Sequence, residues 1–218
     1  MHIVLNSTYS MVEVALCSHT TVVDALCVDK FQASGQLLVA LAELCRRQSI
    51  TSNQIDFIVA NAGPGPFTTL RTVLATANGL AMAQNLTCVA VDGLRALLDE
   101  YRTTEYPVTV ALLNAYSGDL YYAVDSDGQI MTGILYGSEE LKKLLQQLTE
   151  TTIRFIGNGV HSHEALIREM LGGRVHIPTP NPETCSLQIV ATNGYQQWRA
   201  QEHVSEQLVP LYLKNYSS

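Results

Sequence analysis

The stretch Asn61-Ala-Gly-Pro-Gly-Pro-Phe-Thr-Thr-Leu-Arg71 follows an apolar run and opens a helical pattern. At a strand-to-helix turn, glycines let backbone N–H groups approach an anion, and a helix N-terminus favours negative charge. Gly63, Gly65 and Thr68 are therefore candidates for an anion or nucleotide loop. The competing reading is structural: the two glycines permit a turn, and Pro66 sets φ at the first helical position. Arg71, on the first turns of that helix, either faces an anion or a partner carboxylate, or pairs within the chain with Glu43 or Asp92.

Other chemistry finds less support in the spacing. His161 and His163 stand two apart with Glu164 adjacent, and residues at i and i+2 do not share a helix face. A common metal is not expected there, and no metal ligand is assigned. Ser7, Thr8, Thr68 and Ser117 lack a Gly-x-Ser-x-Gly elbow and an evident base partner, so no catalytic residue is assigned either. Cys17, Cys27, Cys45, Cys88 and Cys185 form no C-x-x-C pair, and four of them lie in apolar runs. There a free thiol behaves as a small hydrophobe in a reducing compartment.

These residues need elements to position them. "HIVLN", "MVEVALC" and "TVVDALC" are β-rich, the last two with a hairpin-length link. "SGQLLVALAELCRRQ" follows as a helix with Ser34 as its N-cap. "IDFIVANAG" is a buried strand, Pro66 to about Gln84 a second helix, "TCVAVDG" a strand and "LRALLDEYR" a third helix. After the polar stretch Thr103–Pro107, a β-meander turns at Ser117-Gly118 and Asp127-Gly128. Helix "SEELKKLLQQLTE", strand "IRFIGNG", helix "HSHEALIREML" and a last helix from about Thr184 to Ala200 complete the order. Each half thus reads βββαβα, which predicts two related α/β lobes, residues 1–104 and 105–218.

Two helices carry more apolar surface than one core needs. In the helix from Ser34, Leu37, Leu38, Leu41, Leu44 and Cys45 make a core stripe, yet Val39, Ala40 and Ala42 continue the apolar surface. In the helix from Pro66, Leu70, Val73, Leu74, Ala77 and Leu80 form one face. Thr72, Ala75, Thr76, Gly79 and Ala83 form another that is flat and small. The alternatives are deep burial within the chain or a helical interface with another chain. A net charge of −7 lacks the basic footprint of autonomous nucleic-acid binding. Phe31, Tyr9, Tyr121, Tyr122 and Trp198 are scattered, without interleaved basic residues for stacking on bases. The opening residues lack a basic leader, and no apolar stretch approaches a membrane span. A cytoplasmic protein without membrane contact is expected.

"GPGPFTTLRTVLATANGLAMA" (residues 63–83) resembles the GPGSFTGLR-to-helix signature of the TsaB (YeaZ) family. "LLNAYSGDLYYAV", "FIGNG" and the terminal "VPLYLK" extend the likeness along the chain. The resemblance implies the two-lobed actin, hexokinase and Hsp70 (ASKHA) fold. It also implies a place in the machinery that makes N6-threonylcarbamoyladenosine at position 37 of tRNA. There the family pairs with a TsaD-type catalytic paralogue, joined by a TsaE-type ATPase, or forms a homodimer in isolation. The older description of the family as a glycoprotease finds no residues here. The partner interface would comprise Val39, Ala42, Arg71, Thr72, Ala75, Thr76, Gly79 and Ala83. The nucleotide or anion site would comprise Asn6, Ser7, Thr8, Gly63, Gly65, Thr68 and Asn114.

Several positions depart from the family pattern. Asn6 stands where the family has Asp, and Asn114-Ala115-Tyr116 where it has Asp-Ala-Arg. Pro66 replaces Ser, Thr69 replaces Gly, and Ala33-Ser34 stands for His-Ser. An amide is a poorer hard-cation ligand and base than a carboxylate. The expectation is therefore a non-catalytic scaffold subunit that holds no cofactor alone, with ATP and Mg²⁺ entering the complex through its partners. It is expected not to bind tRNA directly by itself. The alternatives are a nucleotide-dependent kinase or hydrolase of the same fold, or a degenerate paralogue.

Overall fold

The structure is a computed structural model and describes residues 1–211 and 213. Tyr212 and Lys214 of the "VPLYLK" segment lie outside the described residues. The chain divides into two compact units, Met1–Ala96 with Ser186–Leu211, and Leu97–Cys185.

In the first unit, strands β1 (His2–Ser7), β2 (Met11–Ser18) and β3 (Thr21–Asp29) form an antiparallel meander. β4 (Phe57–Asn61) and β5 (Thr87–Val91) add in parallel to the other side of β1. Helices α1 (Ala33–Arg47) and α2 (Phe67–Gln84) cover one face, where Leu5, Leu37, Leu44, Ile58 and Val73 share one core. β1 and β4 are buried along their whole length because helices cover both faces. α3 (Gly93–Tyr101) follows β5.

The second unit repeats the pattern. β6 (Val108–Asn114), β7 (Leu120–Ser126) and β8 (Gln129–Leu135) form the meander. α4 (Gly137–Gln147), β9 (Ile153–Ile156), α5 (Glu164–Leu171) and β10 (Val175–His176) follow, with β9 parallel to β6. Asp127 and Gly128 both take positive φ, as a two-residue hairpin of the I′ type requires. Two mixed βββαβα sheets result, ordered β11-β5-β4-β1-β2-β3, where β11 is Val204–Ser205, and β10-β9-β6-β7-β8.

The division expected at 104/105 differs from the observed one. The change of unit falls inside α3, and α6 (Leu187–Ala200) with β11 (Val204–Ser205) returns to the first unit. The reason is packing. Gly194 of α6 lies where any Cβ would collide with Val59, and Trp198 stacks on Phe57 at 4.3 Å. β11 pairs with the edge of β5.

Two helix details also differ. The N-cap of α1 is Gln32, without a side-chain cap bond, so Ser34 does not cap the helix. The Asp29 carboxylate takes the Phe31 N–H, and Gln32 N–H bonds Asp29 O. The chain therefore turns early enough to start the helix at buried Ala33. Leu38, read as part of the core stripe, is 56% exposed, and Ala40 takes the inward position.

Candidate functional site

The loop after β4 is built from the Asn61 side chain. Its Oδ1 accepts the Gly63 N–H at 2.9 Å, and its Nδ2 donates to Asn6 Oδ1 at 2.8 Å. Asn6 Nδ2 in turn donates to Glu13 Oε2 at 2.7 Å. The row follows from strand register, since Asn6 and Glu13 are partners on β1 and β2. A backbone N–H can only donate and an ionised carboxylate can only accept, so the two ends fix the orientation of both amides. Asn6 and Asn61 are buried. Burial raises the Glu13 carboxyl above its ordinary value, and the Asn6 bond partly offsets this. Glu13 is the residue that reading the sequence missed. Only strand pairing places it beside Asn6, so a carboxylate stands one strand away from the buried amide.

The loop itself is tightly committed. Ala62 N–H bonds Val91 O, Gly63 O accepts Gly93 N–H at 2.8 Å, and Leu211 N–H closes on Ala62 O. Gly63 takes φ +103°, and a Cβ there would meet Leu70 Cδ2 at 2.9 Å. Gly65 differs: a Cβ would meet nothing within 4 Å, and its φ is not in the left-handed region. Pro66 is the N-cap of α2, with φ −60° and ψ 117°, one position before the first helical residue expected of it. Pro64 and Pro66 have no N–H. The loop thus offers an anion the Gly65 N–H, followed by the first turn of α2.

The remaining candidates have definite places. Ser7 is buried, with no hydrogen-bond partner for its hydroxyl among the described residues. Thr8 Oγ1 donates to Met11 O at 2.9 Å and accepts Met11 N–H, closing the β1–β2 turn. Thr68 is exposed, and its carbonyl accepts from Thr72. Asn114 lies in the second unit, where its N–H bonds Asn158 Oδ1 and its Oδ1 accepts Tyr116 N–H. Asn158 belongs to "FIGNG", whose Gly157 packs directly on the Leu112 carbonyl.

On α1, Val39 and Ala42 are exposed. On α2, Arg71, Ala75, Gly79 and Ala83 are exposed, with Thr72 and Thr76 half-buried. Thr72 Oγ1 donates to Thr68 O and Thr76 Oγ1 to Thr72 O, so both hydroxyls are satisfied within their own helix. Arg71 lays its guanidinium on the Phe67 ring at 3.6 Å. Of the carboxylates considered for Arg71, Glu43 bonds Arg46 and Arg47, and Asp92 caps α3 through the N–H groups of Leu94 and Arg95.

No group of three His, Cys, Asp or Glu side chains among the described residues could hold a metal. His163 bonds Gly159 O, while His161 lies 3.8 Å from Glu183. No disulfide joins the cysteines, and burial pushes Cys17 up to about 12 and Cys88 to about 11. No helix among the described residues is long and apolar enough to cross a membrane.

Residues 32–135 match the family model of TsaD, tRNA N6-adenosine threonylcarbamoyltransferase. Over this stretch, just under half of its length, the chain is similar to the TsaD family. The matched segment runs from α1 to β8 and carries the loop, both apolar helices and Asn114, but not Asn6 or Glu13. No curated protein matches the sequence. Among solved structures, YeaZ from Pseudomonas aeruginosa superposes with a TM-score of 0.69 at 19% identity, covering 98% of this chain and 100% of that one. The ethanolamine utilization protein EutJ from Carboxydothermus hydrogenoformans gives 0.54 at 12%, over 88% and 90%. The Lmo2764 protein from Listeria monocytogenes gives 0.51 at 11%, over 90% and 99%. At these identities the likeness is one of fold, and that fold is the ASKHA arrangement of two βββαβα sheets.

Proposed function

We propose that the chain is a non-catalytic scaffold subunit of the complex that forms N6-threonylcarbamoyladenosine at position 37 of tRNA. In this reading it holds a TsaD-type catalytic paralogue in an active arrangement, with a TsaE-type ATPase joining the complex. ATP and Mg²⁺ act through those partners. The match to the TsaD family supports the pathway, and the exposed surface of α1 and α2 supports the scaffold reading. On α2, Ala75, Gly79 and Ala83 are small and exposed, and nothing lies within 4 Å of where a Cβ would stand at Gly79. A partner helix can approach such a backbone closely and gain dispersion contacts with little side-chain entropy to lose. The internal bonds of Thr72 and Thr76 leave no hydroxyl there to be stranded when water is excluded.

The test is co-expression with the TsaD-type paralogue of the same organism, followed by co-purification and a threonylcarbamoyl-transfer assay on tRNA. A stable heteromeric complex whose transfer activity depends on this chain is the expected result. A paralogue that is fully active alone and does not co-purify would overturn the proposal. A second reading, a nucleotide-dependent kinase or hydrolase, draws on the Glu13 carboxylate beside Asn6. Phosphate release from ATP with Mg²⁺ by the purified chain, abolished by Glu13→Gln, would favour it.

A further inference from the structure

The second unit contains a cavity of about 540 Å³ remote in sequence from the loop, lined by Arg102, Tyr106, Thr109, Asp125, Asp127 and Gly128 among others. Its floor is polar and buried. Thr109 and Asp125 are register partners on β6 and β7, so both side chains stand on the same sheet face. Asp125 Oδ1 accepts Gly128 N–H at 2.9 Å, and Oδ2 lies 3.5 Å from the Arg102 guanidinium. Thr109 is 2% exposed, and its hydroxyl has no hydrogen-bond partner among the described residues. A buried hydroxyl without a partner is destabilising, so a group that completes it from the cavity is favoured.

The charges narrow what can enter. Arg102 and Asp125 compensate one another, and Arg102 also lies 3.6 Å from Asp99. An anion would face Asp125 and Asp127, and a cation would come up against the Arg102 guanidinium with only the exposed Asp127 uncompensated to draw it in. Hydroxyl groups avoid both conflicts, because one hydroxyl donates to a carboxylate while its neighbour accepts from a guanidinium with N–H groups to spare. Tyr106, stacked on His176 at 4.6 Å and 19°, is held in place as a wall. The volume lies within the roughly 300–1,000 Å³ typical of small-molecule sites.

We propose that this cavity binds a small neutral polyhydroxylated molecule of the aldose class, with Thr109 and the Arg102–Asp125 pair as its recognition groups. The proposal stands apart from the scaffold role, since it uses none of the α1 or α2 surface. The test is a titration of the ¹⁵N-labelled full chain with D-ribose and D-glucose, following amide shifts. Saturable shifts at Gly128 are expected with at least one sugar. Thr109→Val should weaken binding roughly tenfold, whereas Thr109→Ser should retain it. The absence of shifts up to the solubility limit of both sugars overturns the proposal, as does equal binding by Thr109→Val. Binding of glycine or ethanolamine in place of the sugars would overturn the charge argument in particular.

Discussion

The Asn6 side-chain amide donates to the Glu13 carboxylate at 2.7 Å across the β1–β2 pair. Through Asn61 the same row reaches the Gly63 N–H, so the glycine loop is oriented by a carboxylate two side chains away. An Asp at position 6 would set two carboxylates against each other and lose the donor. Asn6 and Glu13 thus form a matched pair, and neither is interpretable alone.

The pair predicts a double-mutant result. Asn6→Asp alone should destabilise the protein by about 1–3 kcal/mol, from a lost hydrogen bond and like-charge repulsion. Adding Glu13→Gln should recover much of this, because a glutamine amide can donate to the new carboxylate. Urea unfolding of the four proteins in the cycle measures the coupling. Additive losses would show that the two side chains do not act as a unit.

The two loop glycines should respond differently. Gly63→Ala forces a side chain into positive φ and toward Leu70, and should cost about 1–3 kcal/mol. Gly65→Ala, with open space and ordinary φ, should change stability by less than about 1 kcal/mol. Thermal melts of both variants decide this. Equal losses at the two positions would contradict the observed loop geometry.

His2 should make stability pH-dependent. It is buried between Phe57 and Tyr195, at 4.4 and 6.1 Å between ring centroids. Burial lowers its pKa from 6.5 to about 4, with the N-terminal ammonium adding to the effect. The unfolded chain therefore binds the proton first as pH falls. Stability from this residue is complete above the unfolded value and declines between 6.5 and about 4, by up to about 3 kcal/mol. The raised Glu13 carboxyl works the other way, gaining stability as it protonates. The informative quantity is thus the difference between wild type and His2→Phe, which keeps the ring stack. Urea midpoints across that range should fall less steeply for the variant, and parallel curves would exclude His2 as the source.

Much of the fold was legible because it rests on local patterns. The meanders show in β-rich runs with short turns, and the helices in apolar spacing of 3.6. Asp127-Gly128 announced its own hairpin. What escaped depends on tertiary partners. The return of α6 to the first unit rests on Gly194 meeting Val59, a contact between residues more than a hundred positions apart. The two-residue strands β10 and β11 are too short to carry a period. Glu13 lies in an apparently ordinary strand, and only the register sets it against Asn6. Asn78 on α2 bonds both the N–H and the carbonyl of Leu208 and so ties the returning segment to that helix.

The interface prediction rests on which helix positions are already committed. Leu70, Val73, Leu74 and Ala77 are buried in their own core, while Ala75 and Gly79 are exposed. Val39 on the neighbouring helix is 65% exposed. A charge placed in the middle of the α2 face should therefore leave the monomer folded, since a Cβ at Gly79 meets nothing within 4 Å. Burying that charge against a partner without a counter-ion would cost several kcal/mol, enough to oppose an interface of standard size, roughly 800 Å² per partner. Ala75→Arg or Gly79→Arg should thus convert a homodimer, or a complex with the TsaD-type paralogue, into monomer. Size-exclusion chromatography with light scattering reads the mass, and circular dichroism confirms the fold. Assembly unchanged by either substitution would place the interface on another face, whereas loss of the fold would mean that this face packs inside the chain.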